Sequence, residues 1–195
     1  VALKPSGVEW LGEIPKHWEV KRIKSLAKSI QTGSTPNTTV LEYYENPEIK
    51  WFKPSDFSEK LLLETPVDWI SSFAADDGAA RIFPRHSVLL LSIGATIGKI
   101  GVLAEAASSN QQINCITFST RTNPFFGAYC MKIYEAEIIK FANFSTLPIF
   151  NQVNTGSLFL AVPPRKEQDA IVKYLEEKTK RIDQLIQNIE THIDQ

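Results

Sequence analysis

The stretch VPPRKEQDAIVKYLEEKTKRIDQLIQNIETHIDQ, residues 162–195, decides how the rest of the chain is read. Two apolar rows thread it, each in alternating steps of three and four. One runs Ile171, Leu175, Lys178, Ile182, Leu185, Ile189, His192; the other runs Val172, Leu175, Thr179, Ile182, Ile186, Ile189, Ile193. That spacing predicts a long helix of coiled-coil character. Pro163 and Pro164 bar an earlier start, and Glu167 and Asp169 place negative charge in the first turn. Together the rows make a stripe wider than a two-stranded seam needs. Leaving such a stripe wet is costly, so the helix is expected to lie against something. About 28 residues of helix reach roughly 42 Å, longer than a domain of this size is wide. The expected partner is therefore another helix, met through Ile171, Val172, Leu175, Ile182, Leu185, Ile186, Ile189 and Ile193.

Upstream of this helix the pattern turns strand-rich. SVLLLSI, residues 87–93, is an apolar run bounded by Pro84 and Gly94, which predicts a buried strand. A turn at 94–99 and a returning strand at 100–103 follow, then a strand at 113–118. Residues 51–53 read as a strand that ends at Pro54, because proline cannot donate to a ladder. Residues 19–30 alternate and then turn helical, with Val20, Ile23, Leu26, Ala27 and Ile30 as the apolar set. Asn123-Pro124 starts a helix expected over 125–141, followed by a polar loop over 142–156 and a last strand over 158–162. The first 20 residues, with Trp10 and Trp18, read as an irregular arm pinned by aromatics. The expected fold class is α+β: a mixed, strand-rich domain over 1–163 and one long C-terminal helix over 164–195.

A chain of 195 residues with 43% hydrophobic residues holds a real core. Its formal net charge of −1 gives none of the overall basicity that advertises nucleic acid, so any such contact must be local or shared with a partner. Cys115 and Cys130 are too few for a disulfide scaffold and sit in apolar flanks, which suits a reducing cytoplasm. No apolar run approaches transmembrane length.

Catalytic signatures are thin. GATIGKI at 94–100 is one residue too short between its glycines for a phosphate loop, and Ile100 stands where Ser or Thr would hold magnesium. NPFF at 123–126 lacks the second proline of an adenine-methyltransferase loop, and a helix start explains it better. His17, His86 and His192 are scattered, without Cys or carboxylate at metal spacing. What remains is a set of polar loops: Gln31 to Asn37, Lys53 to Asp56, Thr96 to Lys99, and Ser108 to Gln112. Asn and Gln can pair with base edges and Lys with phosphate or guanine.

Three stretches carry a family resemblance. SGVEWLGEIPKHWEVKRIK (6–24), GATIGK with SNQQI (from Ser92 to Ile113), and PPRKEQDAIVKYLEEKTKRID (within 162–186) resemble, in order and spacing, the specificity subunits of type I restriction–modification systems. The resemblance implies that residues 1–163 form a target-recognition domain and that the last helix is a spacer. It implies a subunit without catalytic activity or cofactor of its own. In members, each such domain reads one half of a split site in double-stranded DNA, and the two spacer helices pair antiparallel as a ruler. Methyltransferase subunits, which supply the S-adenosylmethionine chemistry, and a motor-nuclease restriction subunit are the implied partners. Members carry two such domains and two helices, whereas this sequence has one of each. It is expected to be either the N-terminal half of a longer subunit or a short half-subunit that pairs with a second copy. By position, the resemblance assigns DNA contact to Gln31, Thr32, Ser34, Thr35, Lys53, Ser55, Asp56, Thr96, Lys99, Asn110, Gln111, Ser145 and Thr146, with Asn110 and Gln111 alternatively holding the turn. A competing reading is a protein-interaction adaptor that does not read DNA.

Overall fold

The computed structural model describes residues 2–94, 96–143 and 149–193. In chain order the elements are β1 (Leu3–Pro5), β2 (Glu13–Pro15), β3 (Glu19–Arg22), a single helical turn α1 (Ile23–Leu26), β4 (Ala27–Thr32), β5 (Ile49–Phe52), β6 (Leu62–Leu63), β7 (Trp69–Ile70) and α2 (Ser72–Asp76). They continue with β8 (Val88–Leu91), β9 (Ile100–Leu103), β10 (Ser108–Ser109), β11 (Ile113–Phe118), α3 (Pro124–Ile133), α4 (Glu135–Asn143), α5 (Gln152–Ser157), β12 (Phe159–Val162) and α6 (Arg165–Ile193). The α+β class read from the sequence holds.

A five-stranded sheet in the order β4-β11-β8-β9-β6 forms the middle of the head; all its pairings are antiparallel except β6 with β9. Strand β8 is buried on both faces, as its unbroken apolar run requires. Val88 and Leu90 face one core, shared with Ile116, Met131 and Ile138, which α3 and α4 cover. Leu89 and Leu91 face a second core with Phe52, Phe83, Ile113 and Cys115. A smaller sheet, β10-β5-β7, closes a third cluster of Tyr43, Trp51, Ile70, Ala74 and Ala80.

Four expectations are corrected. The helix expected up to Ile30 is one turn only. Ile23 and Leu26 enter the core from that turn, while the flanking residues are drawn into strand pairing, β3 with β12 and β4 with β11. Pairing with strands distant in sequence overrides the local helical period. Gln31 and Thr32, expected in a loop, therefore end β4. The single helix expected over 125–141 is two, α3 and α4, divided at Tyr134, whose ring is buried beside Trp10 at a centroid distance of 3.8 Å. Finally, the segment expected to be loop up to residue 156 contains α5, capped by Asn151, whose Oδ1 accepts from the Asn154 N–H at 2.9 Å.

The last helix spans 29 residues, about 43 Å. Its root is clamped to the head. Gln168, 1% exposed, accepts from the Asn123 N–H (2.8 Å) and donates to the Pro163 carbonyl (2.9 Å). Glu167 accepts from the Trp18 indole N–H at 3.0 Å and meets His17 Nε2 at 2.8 Å, tying the N-terminal arm to the same turn. Those two contacts hold the Glu167 carboxyl below its usual range. The apolar stripe is divided. Val172 is buried and α6 packs on α3 there, which removes Val172 from the helix-pairing set; Ile171 and Leu175 are half-buried. Ile182, Leu185, Ile186 and Ile189 stand free, 49–59% exposed.

Candidate nucleic-acid interface

The sheet register gathers the polar loops at one end. Thr32 pairs with Asn114, Ile113 with Leu91, and Leu90 with Ile100, so β4 and β8 finish where β11 and β9 begin. Residues 33–36, 92–94, 96–99 and 110–112 leave the sheet there. Ile149 bridges to Ile93, and Phe150 N–H donates to the Ser92 carbonyl at 2.8 Å, bringing the start of α5 to the same end. The loop after β5 joins them through β10: Ser109 pairs with Phe52, and Asn110 N–H donates to the Phe52 carbonyl at 3.0 Å.

Gly33 makes this convergence possible. Its N–H donates to the Ile113 carbonyl, and the next N–H, of Ser34, donates to the Ser109 carbonyl at 2.8 Å. A Cβ on Gly33 would stand 2.3 Å from the Ser109 carbonyl, the Ser109 hydroxyl and the Asn110 carbonyl. Only a residue without a side chain admits that approach. Trp51 Nε1 donates to the Ser34 carbonyl (3.1 Å) and Tyr44 Oη to the Pro36 carbonyl (2.7 Å), fixing the loop from the third cluster.

The sequence-selected residues separate into two groups. Several are occupied by the protein itself. Asn110, 8% exposed, accepts from the Gln112 N–H and donates to the Gln112 side chain, both at 3.0 Å, and so holds its own turn. Asp56 accepts from the Lys53 N–H (2.7 Å) and the Val67 N–H (3.0 Å). Lys53 is ion-paired to Asp68 at 2.8 Å and lies over the Trp51 ring. The Thr32 hydroxyl donates to Asn114 Oδ1 at 2.8 Å. Ser34 Oγ accepts from the Arg81 N–H at 3.2 Å. The second group is open: Gln31, Thr35, Ser55, Thr96 and Gln111 are exposed, and the Thr35 hydroxyl is bonded to the Gln111 amide oxygen. Lys99 is half-exposed beside Ser58, Glu59, Lys132 and Glu135, without an ion pair among the described residues. Ser145 and Thr146 lie outside the described residues.

Two residues of this end escaped sequence reasoning. Gln152 lies along the outward edge of β4, its amide oxygen toward the Thr32 N–H (3.1 Å) and its nitrogen toward the Ile30 carbonyl (3.2 Å). Arg81 Nη1 donates to the Thr32 carbonyl at 2.5 Å. Neither had a local signal, since Gln152 fell in an expected loop and Arg81 follows an ordinary Asp-Gly turn. Among the described residues no cluster of His, Cys, Asp or Glu could hold a metal, and no helix is long and apolar enough to cross a membrane.

Polar loops thus gather at one end of a mixed sheet, and a helix with an exposed apolar ridge leaves the head. The family model for type I restriction modification DNA specificity domains matches residues 15–195, and the chain belongs to that family. It is 34% identical over 103 residues to the MjaIX specificity subunit of Methanocaldococcus jannaschii, covering 52% of this chain and 23% of that protein. It is 33% identical over 113 residues to the EcoprrI specificity subunit of Escherichia coli, covering 55% of this chain and 27% of that protein. In fold it resembles a chain from a structural study of complex assembly in a type I restriction–modification system (TM-score 0.73, 22% identity, 94% of this chain and 42% of that one). The specificity subunit of Thermoanaerobacter tengcongensis is similar too (TM-score 0.70, 21% identity, 94% and 41%). The chain thus spans about a quarter of the curated relatives it matches and about two fifths of the solved chains.

Proposed function

We propose that this chain reads one half of a bipartite double-stranded DNA target for a type I restriction–modification complex, without chemistry of its own. The observation that carries the reading is the convergence of Gln31, Thr35, Thr96, Lys99 and Gln111 at one sheet end, in a chain of this family. Exposed amides and hydroxyls there suit base edges, and Lys99 suits a phosphate. Ser145 and Thr146 enter this reading only through their positions in the family pattern. The free ridge of α6, from Ile182 to Ile189, pairs antiparallel with a second helix and sets the distance between two heads. That helix belongs to a second copy or to a second half of the same subunit. Methyltransferase subunits dock on the assembly, bring S-adenosylmethionine and perform the methylation, and a restriction subunit adds cleavage. The setting is the cytoplasm.

The test is selection from random duplexes by the chain reconstituted with its methyltransferase subunits, followed by methylation assays on the winners. A bipartite consensus supports the reading; retention without sequence preference overturns it. An adaptor role is the second reading, favoured by the net charge of −1 and by the acid pairing of Lys50 and Lys53. It predicts partner binding that survives mutation of every loop named above.

A further inference from the structure

Among the cations near this sheet end, Lys53 is answered by Asp68, whereas Arg81 and Lys99 have no ion pair among the described residues. No described carboxylate lies within ion-pairing distance of Arg81, which is exposed. Its backbone N–H donates to Ser34 Oγ at 3.2 Å, and one bond holds its side chain, from Nη1 to the Thr32 carbonyl at 2.5 Å. Both anchors flank Gly33, the residue locked against 109–110. A guanidinium carries five N–H donors in a planar fork. One is used on Thr32, and the others have no acceptor among the described residues. A cation so fixed surrenders less rotamer freedom on binding than a free surface lysine does.

Its position adds a second constraint. Thr32 and Lys99 lie at the ends of β4 and β9, with β11 and β8 between them. Three strand spacings put their backbones on the order of 14 Å apart. A major groove is about 12 Å wide. Thr32, which Arg81 caps, and Lys99 thus stand at either side of a groove-sized width of backbone.

We propose that Arg81 is a DNA-contacting residue of this surface, its fork engaging a paired-acceptor edge of the duplex. That edge is either the oxygens of one phosphate or O6 and N7 of one guanine. The inference rests on the DNA-reading assignment above.

The experiment measures binding of the reconstituted complex to its selected target and to random duplex across a salt series, with thermal melting of each variant alongside. Arg81→Gln is the key variant, because it removes the charged fork while keeping a polar side chain, and melting reports whether loss of the Thr32 contact matters. It is expected to melt as wild type does and to bind the target at least fivefold more weakly. A phosphate contact shows as an equal loss on both duplexes, a salt slope shallower by about one, and recovery by Arg81→Lys. A guanine contact shows as lost preference at one target position, which Arg81→Lys does not restore. A folded Arg81→Gln that binds as wild type does, or a loss that merely tracks a lowered melting temperature, overturns the proposal and leaves Arg81 a strand cap. A wild-type complex that prefers no sequence overturns the DNA-reading assignment itself, and this role with it.

Discussion

Gly33 and Lys99 show how differently two residues of one surface are constrained. Gly33 has no room for a methyl group, because backbone and hydroxyl oxygens occupy its place at 2.3 Å. Gly33→Ala must push the loop off Ser109, and overpacking of this kind costs about 1–3 kcal/mol. Urea melts are expected to show that loss, together with weaker DNA binding, since Thr35 and Gln111 would part. Lys99 is under no such constraint. In the proposed role Lys99→Ala leaves stability unchanged, weakens binding to every duplex alike and lowers the salt slope by about one. A changed sequence preference with an unchanged slope would instead assign it to a base. The types of residue on this surface were legible in the sequence, because Gln, Thr, Lys and Asn cluster in its loops. Which of them remain available was not, because Asn110 and Asp56 are consumed by backbone groups and Lys53 by Asp68, all fixed by the folded loops.

Among the elements, α6 was the most legible and also the most instructive. Its heptad rows survive as one continuous helix, but they serve two purposes along their length. Val172 is spent on the head, whereas Ile182, Leu185, Ile186 and Ile189 remain open. The sequence period is the same in both halves, so only α3 packed on the root tells them apart. The double variant Leu185→Asp/Ile189→Asp is expected to leave the head's melting temperature within experimental error. It should abolish concentration-dependent self-association in sedimentation equilibrium. If association is unchanged, the ridge has another purpose. Strands β8, β9 and β11 were legible because they are apolar runs between turn residues. The stretch 19–32 was not, since its helical spacing is overruled by pairing with β11 and β12. Segment α5 was missed because its residues, QVNTGS, are polar or small and carry no apolar period.

For the molecule as a whole, the thiols of Cys115, which is buried, and Cys130, which is half-buried, make stability depend on alkaline pH. Burial pushes both Cys115 and Cys130 up to about 12, from an ordinary value of 9.0. The native state therefore keeps both protons where the unfolded chain releases them. Their contribution is fully present below pH 9 and is lost as pH rises from 9 toward 12. Burial raises Tyr134 as well, which acts in the same direction. The urea midpoint is expected to fall across that window, and more gently in Cys115→Ala and Cys130→Ala. Equal slopes in all three proteins would place the thiols in contact with solvent.

The caps on β4 carry a consequence for assembly. Gln152 and Arg81 occupy the outward-facing N–H and C=O of Thr32, and Gln152 also covers the Ile30 carbonyl. Unsatisfied strand margins invite a neighbouring chain to add itself to the sheet. Separate assemblies that collide in solution would otherwise present such margins to one another. By sealing the margin with its own side chains, the head withholds this edge of the sheet from strand exchange, which in the proposed role would leave each head available to its own stretch of duplex.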